Sequence, residues 1–401
     1  MVKLSPFHQR LSELNRTGLY GHWSGYLSAL RYDTSAKHEY FGVRNSAGLF
    51  DSSPLYKHRI AGPDAERFLG GVMARDVRTC APGKAQYTVW CDEEGYLLED
   101  GVLFRHSPTE FLLTCAEPNV GYLADLTAGF DVTVDDVSEA YGVLALQGPR
   151  SREILSRLTP DVAGLPFFGM ADTTIKGAPV TVSRTGYTGD LGYEVLVPSE
   201  HALDVVDAIL ETGTPYGMRP FGEEALMMLR VEAGLVLIGV EFTSARYAYN
   251  DHQRLTPVEL GLSWLLKGID DDSRPFIGRE PLRRELTEQT SRWQTVGLVL
   301  DWAEWDRLYD DAGLVPPKEE APLDYESMLY DADGERIGYA TTLMYSPMLQ
   351  RHIGIALVKP EHAGLGSTVH VEQTINHEYL TCAATVSRMP LFNPARKTAN
   401  I

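Results

Sequence analysis

The chain has 401 residues, enough for two or three compact units at roughly 150 residues each. Apolar residues make up 44%, aromatics 10% and charged residues 23%, the balance of an ordinary folded protein and not of a disordered or collagen-like one. Against 36 basic side chains stand 55 acidic ones, a net charge of −19 that repels phosphate backbones and anionic headgroups and argues against nucleic-acid and membrane partners.

The first ten residues hold no long apolar core, and no apolar run approaches a membrane span, so a cytoplasmic enzyme is the expectation. Cys80, Cys91, Cys115 and Cys382 form no CxxC pair. Neither a disulfide framework nor a metal site is expected, and each cysteine reads as a small semi-buried hydrophobe.

Residues 57–72 read as a strand, a Gly62-Pro63 turn and a helix with Ala65, Phe68, Leu69 and Val72 on one face. The phrase recurs from Val143, with Gly148-Pro149 and a helix presenting Ile154, Leu155 and Leu158, a weak internal duplication. A third helix is predicted from Ser199 as N-cap to a stop at Gly213. Strands are expected at 180–183 and 193–197, and packing helices over 222–233 and 257–267, the latter with Leu260, Trp264 and Leu265 as an apolar stripe. Hairpin-like turns among irregularly alternating strands and helices favour an α+β layer over a doubly wound parallel sheet. From Trp293 onward QTVGLVL, RIGYATT, HIGIALV, TVHVEQ and LTCAATV are short strand-like runs, giving a C-terminal all-β unit. The acidic stretch 301–325 within it reads as a long loop. The expected division is 1–292 and 293–401.

No GxSxG, HExxH or GxxxxGK[ST] motif is present. The glycine-rich segment 186–192 runs into the strand-like YEVLV and not into a helix, so it supplies no helix N-terminus for a pyrophosphate. As a glycine-punctuated hairpin it would let backbone approach a flat ligand and aim Glu194 at it; Glu194 as an ordinary strand carboxylate stays open. Glu99 and Asp100 are adjacent on a predicted strand and must face opposite sides. Either both end a turn in water, or one enters a pocket where desolvation raises its pKa and suits it to proton handling or to stabilising a cation. Arg230 sits among apolar helical neighbours and needs a partner, as a structural ion pair or as the anchor of an anionic ligand.

Taken together, VRNSAGLFDSS (43–53), GKAQYTVWCDEEGYLLED (83–100), LQGP (146–149), SRTGYTGDLGYEVLVP (183–198), LRVEAG (229–234), TPVELGLSWLLK, FIGREPL, SPML and IGIALV occur in one order along nearly the whole chain. They resemble the glycine cleavage T-protein family of tetrahydrofolate-dependent one-carbon transferases. The resemblance implies a three-lobed cloverleaf: two intertwined α+β lobes binding folate in a central channel, and a C-terminal β-barrel. It further implies Asp100 as the catalytic carboxylate near folate N5 and N10, Glu194 holding the pterin, Tyr87 and Tyr187 lining the channel, and Arg230 contacting folate. One carboxylate can accept the pterin's NH and NH2 as a fork, while in-line transfer to N5 needs alignment more than a protein nucleophile.

Departures from the family pattern fall on the donor side. Ser53-Pro54-Leu55 replaces Ser-His-Met, Cys115 replaces an asparagine, and 242–257 (FTSARYAYNDHQRLTP) is longer and more aromatic than the family loop. Ser53, Cys115, Tyr247 and Tyr249 are therefore donor-side candidates, with Tyr345 a further aromatic that could pack on a donor. The expected activity is demethylation of a small-molecule donor, a methyl ether, methylenedioxy, sulfonium or N-methyl compound. The alternatives are the aminomethyltransferase of glycine cleavage, with a lipoyl carrier protein as partner, and a non-catalytic folate-binding protein.

Overall fold

The computed structural model describes residues 2–317, 322 and 326–399. The first lobe is an antiparallel five-stranded sheet ordered Lys84–Cys91, Leu97–Ser107, Glu110–Cys115, Tyr56–Ala61, Thr133–Asp136. Helix Ala65–Val72 covers one face, burying Phe68, Leu69 and Val72 against Trp90, Leu103 and Leu113. The second lobe is a six-stranded sheet ordered Met170–Ile175, Ala178–Ser183, Gly192–Pro198, Tyr141–Gln147, Gly48–Asp51, Arg219–Pro220, with helices Ser151–Leu158 and Ala202–Gly213 packed on it. The third is a closed six-stranded barrel ordered Gln294–Leu300, Arg351–Val358, Arg336–Ser346, Ser327–Tyr330, Thr368–Ile375, Glu378–Ser387. The α+β architecture with a C-terminal barrel is thus the one expected.

The repeated strand, Gly-Pro turn and helix occupies equivalent places in the first two lobes. Gly62 (φ 148°) and Gly148 (φ 121°) both hold a left-handed backbone, and a Cβ on either would lie 2.3 Å from a carbonyl oxygen, that of Asp131 or Val43. Two corrections concern helix ends. Ser199 starts a 3-10 turn, Ser199–His201, and its hydroxyl donates to the Glu139 carbonyl instead of capping the α-helix. That helix runs through Gly213 into a 3-10 turn, Thr214–Tyr216, ended by Gly217 at φ 75°.

Residues 257–267 do not form a continuous helix: Gly261 (φ 72°) breaks the run, a 3-10 turn follows at Ser263–Leu266, and Trp264 is 54% exposed instead of packed. The stretch 301–325 is not simply a loop. Asp301 accepts the Glu304 N–H and caps a helix, Trp302–Asp311, whose Trp305 plugs the barrel core. Residues 318–321 and 323–325 of that stretch lie outside the described residues.

What positions the site is the seam between the first two sheets. Ala85 N donates to the Phe168 carbonyl (2.8 Å) and Met170 N to the Gly83 carbonyl (3.0 Å), joining their edges. Ala85, Phe104, Leu112 and Met170, with Val102, Phe168 and Leu196, pack between the two faces.

Candidate functional site

Strand Leu97–Ser107 carries Asp100, Val102, Phe104 and His106 on one face and Glu99, Gly101 and Leu103 on the other, by simple alternation. The first set faces the second lobe. Phe104 and His106 line a cleft with Leu112, Ser183, Leu196 and Glu194, so Asp100 and Glu194 stand on facing sheets, Asp100 about 13 Å of strand from Phe104.

Asp100 is half-buried and accepts a hydrogen bond from Tyr87 Oη at 2.9 Å. Burial pushes its carboxyl up to about 6, against the opposing pull of Tyr87. Burial also drives the Tyr87 phenol well above its usual range, so it stays a donor. Tyr187, the second predicted channel tyrosine, lies within electrostatic reach of both and donates to the Val236 carbonyl at 2.5 Å. The Glu194 carboxylate is held by the Thr185 hydroxyl, among the described residues its one side-chain hydrogen bond, and burial raises its pKa. That leaves acceptor lone pairs directed into a cleft walled by Phe104, Leu112 and Leu196, a fit for the N–H edge of a flat heterocycle.

Arg230 is not among the residues that line this cleft. It is wholly buried, donating to Glu241 Oε1 (2.7 Å), the Leu235 carbonyl (3.3 Å) and Thr342 Oγ1 (3.2 Å). The structural ion pair is the reading this geometry supports, with Glu241 as a partner the sequence did not reveal. Glu241 lies beyond the helix end, where no periodicity links it to Arg230. Glu241 in turn bears electrostatically on Asp100 and Tyr187.

The donor-side candidates separate. Ser53 is 1% exposed and accepts the Val143 N–H (3.1 Å), while Lys57 Nζ donates to its carbonyl (2.8 Å); it fixes a buried turn. Cys115 pairs with Gly101 and so projects to the face opposite Asp100, into the first lobe's core at 3% exposure. Tyr247 and Tyr249 are 56% and 94% exposed on the 242–253 loop. Tyr345 packs against Trp302 and His352. Of the Ser53-Pro54-Leu55 change, Leu55 reaches the Glu194 cleft. Trp264, taken from the sequence as packing, stacks on Tyr87 at 6.3 Å between ring centroids and carries Arg75 over its ring at 5.3 Å, at the outer edge of the site.

Among the described residues no helix is long and apolar enough to cross a membrane. Residues 7–268 match the GCVT N-terminal domain and residues 312–393 the glycine cleavage T-protein C-terminal barrel domain. The chain is 34% identical over 362 residues to an aminomethyltransferase of Streptomyces coelicolor, covering 89% of this chain and 90% of that one. An aminomethyltransferase of Geobacillus kaustophilus is 35% identical over 345 residues, covering 84% and 86%. The crystal structure of the glycine cleavage system aminomethyltransferase T from Bartonella henselae superposes with a TM-score of 0.82 at 23% identity, over 98% of this chain and 99% of that one, and establishes the shared fold. These relatives favour the aminomethyl alternative over the demethylase expectation. The chain belongs to the glycine cleavage T-protein family of tetrahydrofolate-dependent one-carbon transferases.

Proposed function

We propose that the protein transfers an aminomethyl-borne one-carbon unit to N5 of tetrahydrofolate in the cleft between its first two sheets. The observation that carries this is a pair of carboxylates on two sheets that face each other across one seam. Asp100 is tied to Tyr87 on the first sheet, and Glu194 lines the cleft from the second with free acceptor capacity. Tetrahydrofolate, when bound, supplies N5 as the nucleophile.

The chain's own residues do the rest. Glu194 accepts the pterin's NH and NH2, a charge-assisted fork that fixes the ring's orientation. Phe104, Leu112 and Leu196 exclude water from its faces. Asp100, ionised above about pH 6, stabilises positive charge developing on the donor carbon and leaves N5 free to attack. Tyr87 holds that carboxylate by donating to one oxygen, and Arg230, through Glu241, is a positioning residue.

The relatives named above support the aminomethyl donor, for which a lipoyl carrier protein is the partner. The test is to supply tetrahydrofolate with a carrier protein bearing an aminomethyl-lipoyl group and to measure 5,10-methylene-tetrahydrofolate, ammonia and the dihydrolipoyl thiol freed as the carbon–sulfur bond breaks. Formation of 5-methyl-tetrahydrofolate from sulfonium, ether or N-methyl compounds, with no reaction of the carrier, would move the assignment to demethylation. Folate binding with no turnover of any donor would leave a binding protein.

A further inference from the structure

The long aromatic loop 242–257 has no part in the site as described, yet its attachments converge on the strand that bears Asp100. Ala245 N donates to the Leu97 carbonyl and Leu97 N donates to the Leu255 carbonyl, both at 2.8 Å. Both roots of the loop are therefore bonded to one residue, the first of strand Leu97–Ser107 and three before Asp100. Ala245 is buried in the first lobe's core, and the tip beyond it exposes Tyr247 and Tyr249.

Between root and tip, Arg246 lays its guanidinium over the Tyr122 ring at 4.3 Å, and its Nη2 donates to Asn119 Oδ1 at 2.8 Å. Asn119 Nδ2 donates to Glu99 Oε2 at 2.8 Å. Glu99 and Asn119 are wholly buried, and Glu99 also accepts the Ala116 N–H (2.9 Å) and the Glu117 N–H (3.2 Å). The next residue along is Asp100.

The polarity of this chain is fixed at both ends. An arginine can only donate, so it orients the Asn119 carbonyl toward itself and the amide NH2 toward Glu99. Without Arg246 the buried Asn119 carbonyl loses its donor, the amide is held only through its NH2 by Glu99 and the Glu117 carbonyl (3.0 Å), and its grip on Glu99 slackens. Glu99 and Asp100 share a peptide unit, so what holds the first holds the second, as outer hydrogen bonds orient inner groups elsewhere.

We propose that Arg246 is a positioning residue for Asp100, acting through Asn119 and Glu99, and that the 245–255 loop thereby sets the carboxylate that the reaction uses. This rests on the reading of Asp100 as the catalytic carboxylate. Among the described residues, the groups that bear on Asp100 are Tyr87 and Glu99 from its own sheet, Cys115 from the neighbouring strand, Tyr187 from the hairpin before Glu194, and Glu241 from the loop after helix Glu223–Glu232; Glu117 bears on Glu99 beside it.

The experiment needs no donor. Protein carrying 13C at the aspartate Cγ is titrated by NMR, with Asp100→Asn to assign the signal. In the unaltered chain the Asp100 carbon should show a main inflection near 6 and a smaller one near 8, where Glu99, pushed up by burial, ionises beside it. Glu99→Gln should abolish the second inflection. Arg246→Ala should move it upward by about half a unit or more, because the Asn119 N–H that holds Glu99 down is no longer fixed, and Arg246→Lys should return most of that shift.

In turnover with whichever donor the enzyme accepts, Arg246→Ala should lower kcat about tenfold while the Kd for tetrahydrofolate stays within about twofold. Both inflections unmoved in Arg246→Ala would overturn the proposal. Should that variant not fold, a second inflection that persists in Glu99→Gln overturns it equally. Shifts as expected in a chain that turns over no donor would leave the coupling standing and remove the catalytic reading of Asp100.

Discussion

Asp100 is set to work near neutrality by what surrounds it, and the same setting has a cost in stability. Its folded-state pKa is raised to about 6 from an ordinary 3.8. The folded chain therefore holds that proton more tightly than the unfolded one. The stability it contributes is full below the unfolded value and is lost as pH rises through about 6. Asp100→Asn should accordingly unfold at higher urea than the parent at pH 7.5, by on the order of 2 kcal/mol, and show no gain at pH 4. The same substitution should cut turnover at least about 100-fold, and parent activity should fall as pH drops through 6. Equal urea midpoints at pH 7.5 would show that Asp100 is better solvated than its burial implies.

Glu194 invites a binding measurement instead. Glu194→Gln keeps the shape but offers one acceptor oxygen where the pterin edge presents two donors, so the calorimetric Kd for tetrahydrofolate should weaken about 10- to 100-fold. Unchanged heat would remove Glu194 from the site. Alternation along the strand shows only that Glu99 and Asp100 face opposite sides, and the glycine-rich hairpin only that Glu194 can be aimed; the choice of Asp100 and the role of Glu194 come from the family resemblance. Glu241, Asn119 and Arg246 were not legible. Each meets its partner across a distance in sequence that no helical or strand period spans.

Elements with their own punctuation were the readable ones. The repeated strand, glycine-proline turn and helix was visible because Gly62 and Gly148 do something no other residue can. Each carries positive φ while its Cα lies against a carbonyl of a neighbouring segment. Gly62→Ala and Gly148→Ala should each cost about 2 to 3 kcal/mol in urea unfolding, since backbone must shift in addition to the strained φ. Gly177→Ala, with positive φ but open space around its Cα, should cost only about 1 kcal/mol. If all three cost the same, close approach contributes nothing and the duplication is one of sequence pattern alone. By contrast, the acidic composition of 301–325 reads as loop and masks the cap at Asp301 and the apolar Trp305 of helix Trp302–Asp311. The supposed helix over 257–267 failed at Gly261, whose positive φ interrupts an otherwise apolar stripe. Local composition outweighed one decisive residue in both.

At the scale of the whole molecule, the second lobe, the barrel and the C-terminal tail are tied by a buried ionic chain that no single segment discloses. Ser346 of the barrel and Tyr40 of helix Ala36–Asn45 donate to Glu232, which pairs with Arg44 at 2.6 Å. Arg44 approaches Asp190 at 3.6 Å, and Asp190 accepts both Arg396 Nε (2.6 Å) and Nη2 (2.8 Å) from the C-terminal tail. Arg184 fastens the same tail, donating to the carbonyls of Arg396, Lys397 and Ala399. Asp190 lies four residues before Glu194, so the tail's grip reaches the hairpin that aims the pterin-binding carboxylate.

Removing one member of a buried pair is worse than removing both, because the survivor keeps its desolvation penalty without its partner. Arg396→Ala leaves Asp190 buried with Arg44 at long range, and should destabilise by about 2 kcal/mol, less than a fully buried pair because Arg396 is 37% exposed. Adding Asp190→Asn should recover part of that loss in urea unfolding. If the hairpin is held as described, Arg396→Ala should also weaken tetrahydrofolate binding about threefold or more, a consequence of a misaimed Glu194 and not of lost contact. A double variant as unstable as the sum of its singles, with folate affinity untouched by either, would mean that the tail merely lies on the second lobe and does not brace it.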